Sequence, residues 1–236
     1  MKKSLAANKI LERLQSKITP ETPTAQLSLI AHARRVVRAI ESLESIASNK
    51  APSETAEAHY LRISQNAKKM RAEFTRINDQ LHEVLKSDGE IIHGRINRIF
   101  EPSKHSAEIR AVLRGMTTEA RNKFVLDAVT SANIEALSAV REAPAVLSGL
   151  NPDFHGKVIE MAEQKIAPDL VRQLDENFEV FTAAQTVLGV AESMTNEYSD
   201  PNKIKDIERR EKNAAQAQKD LEESLTNQDL EESLPA

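Results

Sequence analysis

An all-α fold is what this sequence predicts, and three observations carry the prediction. Ala56, Tyr60, Ile63, Ala67, Met70, Phe74, Ile77, Leu81 and Val84 follow one another at alternating spacings of four and three, the stripe that one face of a helix presents. Only 6 of 236 residues are glycine, too few for the turns of an all-β protein or the phosphate loops of a dinucleotide-binding fold. Prolines and capping residues punctuate the rest of the chain at helix-length intervals. The expected architecture is a basic N-terminal helix or arm over residues 1–20 and a long antiparallel, coiled-coil-like helical hairpin over 21–101. A compact helical bundle over 102–200 and a charged C-terminal helix or tail over 201–236 follow.

Leu5, Leu11, Leu14 and Ile18 mark a first helix, stopped by Pro20 and Pro23, each of which disfavours the helical state of the residue before it. Thr22 before Pro23 reads as an N-cap with proline at the first helical position, opening a helix to about Asn49. Its apolar face is two seven-residue ladders, Leu29, Val36 and Leu43 beside Ala33, Ile40 and Ala47. The short connection that follows implies antiparallel neighbours, with Ser53 as the expected cap of the seam helix. The helix-packing seam proper is Tyr60, Ile63, Ala67, Met70, Phe74, Ile77, Leu81 and Val84, and its residue types lack the preferences of a parallel two-stranded coiled coil. The seam is therefore expected to pack within its own chain. The apolar rhythm resumes one residue out of phase at Leu85, Ile92, Ile96 and Ile99, which makes Ser87-Asp88-Gly89 the expected kink or break.

After Glu101-Pro102-Ser103 shorter helices are expected: one through Ile109, Val112 and Leu113, one capped by Thr117 or Thr118, one opened by Ser131, and one begun by Asn151-Pro152. Pro168 breaks the last of these, and Leu170, Leu174, Phe178, Phe181 and Leu188 form the expected later apolar face. Beyond Pro201 few apolar residues remain among many charges, consistent with a surface helix or a tail that orders on binding. There Leu221-Glu222-Glu223-Ser224-Leu225 recurs as Leu230-Glu231-Glu232-Ser233-Leu234, and Leu221, Leu225, Leu230 and Leu234 are the candidate partner-binding residues.

The chemistry-bearing residues assemble into no catalytic pattern. Cysteine is absent, which excludes disulfides and cysteine-ligated metal sites. No Walker loop, dinucleotide fingerprint or nucleophile elbow occurs. Asp79-x-x-His82 and Glu90-x-x-His93 have the Glu-x-x-His-like spacing of di-iron bundles, and a hairpin at residues 87–89 would face them toward each other. With 36 acids and 6 histidines in the chain, chance supplies such spacings, so no metal, no cofactor and no enzymatic activity is the reading. His32, His59 and the Asp153-x-His155 pair read as packed or capping groups. No apolar run is long enough for a membrane span, and the basic start at Met1-Lys2-Lys3 lacks the apolar core of a signal peptide.

Charge is unevenly distributed. Residues 1–114 carry 20 Lys+Arg against 13 Asp+Glu, and residues 115–236 carry 12 against 23, a net +7 followed by −11. Such polarity steers head-to-tail association or draws nucleic acid to the basic half. Arg34, Arg35, Arg38, Lys68, Lys69, Arg71 and Arg76 are the candidate phosphate contacts, and binding through them would fall steeply with salt.

Ala107-Glu108-Ile109-Arg110, Ala120-Arg121 and the run Arg141-Glu142-Ala143-Pro144-Ala145-Val146-Leu147-Ser148-Gly149-Leu150 carry a resemblance over roughly residues 107–190. This stretch resembles helical proteins encoded in tailed phages and prophages. The resemblance implies a viral context, in virion structure or morphogenesis, located in the host cytoplasm or the virion, and it brings no active site with it. The expectation is a non-enzymatic interaction or assembly protein that binds protein partners or itself, with no membrane role. The alternative is a nucleic-acid-associated factor that uses the basic helices.

Overall fold

The computed structural model describes the backbone of residues 3–231 and the side chains of residues 3–225, and every regular element among them is a helix. In order these are α1 (Lys3–Gln15), α2 (Thr24–Ser48), α3 (Ala56–Ile99), α4 (Ser106–Gly115), α5 (Thr118–Thr130), α6 (Ile134–Arg141), α7 (Ala145–Ser148), α8 (Pro152–Ile166), α9 (Pro168–Tyr198) and α10 (Pro201–Glu231). The all-α expectation is met. The chain forms two compact units, one from the described residues of Met1–Thr19, Ile30–Asp79 and Ala183–Ala236, the other from Pro20–Leu29 and Gln80–Thr182. One boundary lies in the α1–α2 connection and three fall inside α2, α3 and α9.

In the first unit α2 and α3 run antiparallel. Arg35 pairs with Glu73 at 2.5 Å and His59 Nε2 lies 3.2 Å from the Ala47 carbonyl, so positions rise along one helix as they fall along the other. The turn between them is capped by Thr55, whose Oγ1 accepts from the Ala58 N–H at 3.1 Å; Ser53, the expected cap, lies two residues too early. α1 lies antiparallel on α2 through Ser4 N–H to Glu44 (3.0 Å) and Asn8 Nδ2 to Glu41 (2.7 Å), with Ala7, Leu11 and Leu14 buried. The N-terminal arm is thus a packed helix. α9 returns antiparallel to α3, with Gln185 Nε2 donating to Asn78 Oδ1 at 2.7 Å and Arg71 bonded to Asn196 and, at 3.1 Å, to Ser199 Oγ. Ile63, Ala67, Phe74 and Ile77 are buried under this cover, Tyr60 and Met70 half-buried, and Ala56 exposed.

In the second unit α3 stays helical through Ser87-Asp88-Gly89, so of the expected kink or break the break does not occur. A helical glycine costs about 1 kcal/mol, whereas burying Ile92 and Ile96 in this unit's core yields about 2 kcal/mol each, so continuation wins. Leu81 is buried and Val84 half-buried, and the stripe ends on Phe100, which is buried where the sequence expects Ile99. The continuous helix also leaves the Asp79 and Glu90 motifs on one helix, so the hairpin that would have faced them does not form. Short helices α4 to α8 enclose Leu113, Val125, Leu137 and Val158. Thr117 caps α5, accepting from Ala120 N–H, and Asn151 with Pro152 opens α8 as expected. α6 is capped by Asn133 and not Ser131, which instead ends α5; Ala132 takes a left-handed φ of 53° to make that turn.

On α9 the buried face follows Leu170, Asn177, Val180, Ala184, Val187, Ala191 and Met194, so Phe178, expected inside, is 61% exposed. Asn177 takes its place at 2% exposure and donates to Asp88 on α3 at 2.5 Å.

Because Gly89 has no atom within 4 Å of an added Cβ, Gly89→Ala relieves backbone entropy without a clash. Chemical denaturation should show stabilisation of about 0.5–1 kcal/mol; an unchanged or lowered stability would contradict a continuous helix at this position.

Candidate interaction site

Two surfaces of the first unit hold the residues singled out in the sequence. One is a recess of about 380 Å³ lined by Ala31, Arg34, Arg35 and Arg38 on one side of α2. The spacing i, i+1, i+4 sets three guanidinium groups around one patch because Ala33, Val36 and Val37 occupy the buried face between them. Arg35 is tied to Glu73, which also receives Arg76 at 3.3 Å. Arg34 lies 3.1 and 2.8 Å from the Gln15 side-chain oxygen when that amide is turned to accept. Arg38 is exposed and has no side-chain ion pair among the described residues. Next to the recess His32 is half-buried, and its pKa lies below the ordinary value, first through burial and then through the charge of Arg35.

The remaining basic candidates do not join this recess as one stripe. Arg71 is committed to Asn196 and Ser199, and Arg76 to Glu73, while Lys68 and Lys69 are exposed. Four of the seven therefore serve as struts or isolated surface charges, and three converge.

The other surface is the distal part of α10. Lys203 stands over the Tyr60 ring at 3.9 Å and Ile207 is buried, so the helix starts anchored to its unit. From residue 208 to 225 every side chain is exposed, with Leu221 at 58% and Leu225 at 55%. The side chain of Leu230 and the whole of Leu234 lie outside the described residues. Arg210 lies 4.0 Å from Glu57 on α3, and farther along the stretch the pairs include Gln216 to Asp220 at 2.7 Å, Gln218 to Glu222 at 3.1 Å and Lys219 with Glu223 at 3.4 Å. Pairs of this kind contribute about 0.2–0.5 kcal/mol each, small beside what a covered apolar face supplies.

Three polar assemblies were not legible as sites in the sequence. At the α2–α3 turn Glu54 accepts from Arg62 Nε at 2.9 Å and Nη2 at 3.0 Å. His59 Nε2 lies 3.2 Å from the Ala47 carbonyl, and its Nδ1 lies 3.1 Å from the Glu54 carboxylate and 3.0 Å from Arg62. The Arg62 hydrogen bond, against an opposing desolvation, lowers the Glu54 carboxyl to about 2. In the second unit the Arg121 guanidinium gathers the carbonyls of Leu113 (2.7 Å), Met116 (2.8 Å) and Gly149 at the carboxyl ends of α4 and α7. Gly149 adopts φ +66°, and a Cβ there would meet Arg121 Cζ at 2.9 Å. The Ala143–Leu150 run is thus a tight helical turn clamped by Arg121, with a structural reason for its proline and glycine. The third assembly is the Asn177–Asp88 pair.

Among the described residues no group of three or more His, Asp or Glu side chains is placed to hold a metal ion, and no helix is long and apolar enough to cross a membrane. No family model matches this chain, and neither the curated proteins nor the solved structures contain a match to it.

A carboxyl lowered in the folded state stabilises above its unfolded pKa near 4.3, and that contribution is lost as the pH falls through the folded value. Glu54→Gln should therefore be less stable than the parent at pH 7, with the difference closing between about pH 4 and the folded value of about 2. Thermal melts across that range check this; a deficit of equal size at both ends would contradict the Arg62 lock.

Proposed function

We propose that this chain is a non-enzymatic helical interaction protein, acting in virion structure or morphogenesis of a tailed phage, in the host cytoplasm or the virion. The observation that carries the reading is the distal half of α10. A regular helix that exposes Leu221 and Leu225, beyond an anchor at Ile207, has the form of a segment that gains most of its stability when another surface covers it. The rise from Ile207 to Leu225 is about 27 Å at 1.5 Å per residue, enough to reach a separate molecule. The viral setting rests on the resemblance over residues 107–190.

A second reading, a nucleic-acid-associated factor, is favoured by the convergence of Arg34, Arg35 and Arg38 at one recess. The net charge of −4 and the acidic C-terminal half weigh against it, since they repel a polyanion.

A photoreactive benzophenone amino acid at position 221, in cells producing the protein, tests the first reading. A discrete covalent adduct heavier than the 26.2 kDa chain is expected from position 221, and none from the exposed Glu160 position used as control. Absence of any adduct from position 221 would contradict an interaction role for α10.

A further inference from the structure

The recess on α2 and the far end of α10 have opposite charge and lie on the same unit. From Lys219 to the C-terminus the sequence holds six acids and one lysine, and within the described side chains Asp220, Glu222 and Glu223 flank the exposed Leu221 and Leu225. The recess offers Arg34 and Arg38 at its rim, with Ala31 and the aliphatic stems of the arginines between them. A helix that presents leucines between carboxylates suits a recess that presents apolar stems beneath guanidinium groups. The same chain does not bring them together, because residues 208–225 of α10 are all exposed.

We propose that the distal end of α10 docks into the Arg34–Arg38 recess of a second copy of this chain. This rests on the interaction reading above and names its partner. The contact is head-to-tail, so a joined pair of copies retains one unused recess and one unused tail, and assembly proceeds to a ring or an open filament. Arg35 stays with Glu73 and shapes the recess, while Arg34 and Arg38 meet the incoming carboxylates. Nucleic acid is the less favoured occupant because the chain is net acidic.

Light scattering on the full-length chain over a hundredfold concentration range, at 50 mM and 500 mM salt, tests this with two charge-reversed proteins. One carries Arg34→Glu and Arg38→Glu, the other Glu222→Lys and Glu223→Lys. The parent should rise above 26.2 kDa with concentration at low salt, and association should weaken by about tenfold or more at high salt, where the Debye length is much shorter. Each reversed protein alone should remain at 26.2 kDa with unchanged circular dichroism, and an equimolar mixture of the two should associate again. A parent fixed at 26.2 kDa throughout, or reversed proteins that associate as the parent does, would overturn the proposal. A parent that stays monomeric but binds a 20-nucleotide single-stranded DNA, lost on Arg34→Glu with Arg38→Glu, would assign the recess to phosphodiesters instead. A monomeric parent with a cross-link from position 221 to a different protein would remove self-docking and leave the interaction reading standing.

Discussion

The apolar stripe of α3 is the constraint to which the other helices answer. A 44-residue helix with buried positions at spacings of three and four must be covered along both units, and α9 shares that cover with different helices in each. In the first unit α2, the end of α9 and the start of α10 supply the cover, tied by Arg35–Glu73, Gln185–Asn78 and Lys203–Tyr60. In the second unit the beginning of α9 lies on α3 through Asn177–Asp88, and Ile92, Ile96 and Phe100 enter a core completed by the short helices. The loss of any one cover would expose residues such as Phe74 or Leu81, whose burial is worth about 2 kcal/mol apiece by transfer alone.

Apolar burial leaves register open, since sliding one smooth helix along another by a turn conserves most of the contact. Asn177 within the buried face of α9 removes that freedom, because only one register gives it Asp88. The neighbouring positions Phe181 and His82 meet edge to face at 5.0 Å in the same register. At the α2–α3 turn the Glu54–Arg62–His59 set plays a comparable part, fixing the angle at which the chain reverses. In the bundle Arg121 donates to the Leu113 carbonyl, which also accepts from the Met116 N–H, and to the Met116 carbonyl, so the cation adds hydrogen bonds at the end of α4.

Periodicity made the helices, the hairpin's antiparallel direction and most of the buried stripe legible in advance. Proline-led starts were equally plain, because Asn151-Pro152 has a steric and hydrogen-bonding cause that acts locally. The misreadings have a common origin in tertiary context. Ser87-Asp88-Gly89 looks like a break when only propensity is weighed, yet burial on either side holds the helix together. Phe178 looks internal by hydrophobicity, whereas the phase of α9 assigns the interior to the polar Asn177. Caps shifted by two residues, from Ser53 to Thr55 and from Ser131 to Asn133, since several Ser, Thr and Asn compete at each start. Of the candidate surface, the arginine cluster on α2 was visible as an i, i+1, i+4 set, but that Arg71 and Arg76 serve as struts depends on partners from distant sequence. The exposure of α10 past Ile207 was foreshadowed by its sparse apolar residues.

The cover of the α3 stripe comes from its own chain. Because the protein has no native cysteine, Asn78→Cys with Gln185→Cys gives a single reactive pair on α3 and α9, whose native side chains meet at 2.7 Å. Reaction with a short bismaleimide at low protein concentration, followed by mass analysis under denaturing conditions, reads the topology directly. A cross-linked species at the mass of one chain is expected. A product found only at the mass of two chains would show that the stripe is covered by a second molecule and would contradict cover by its own chain.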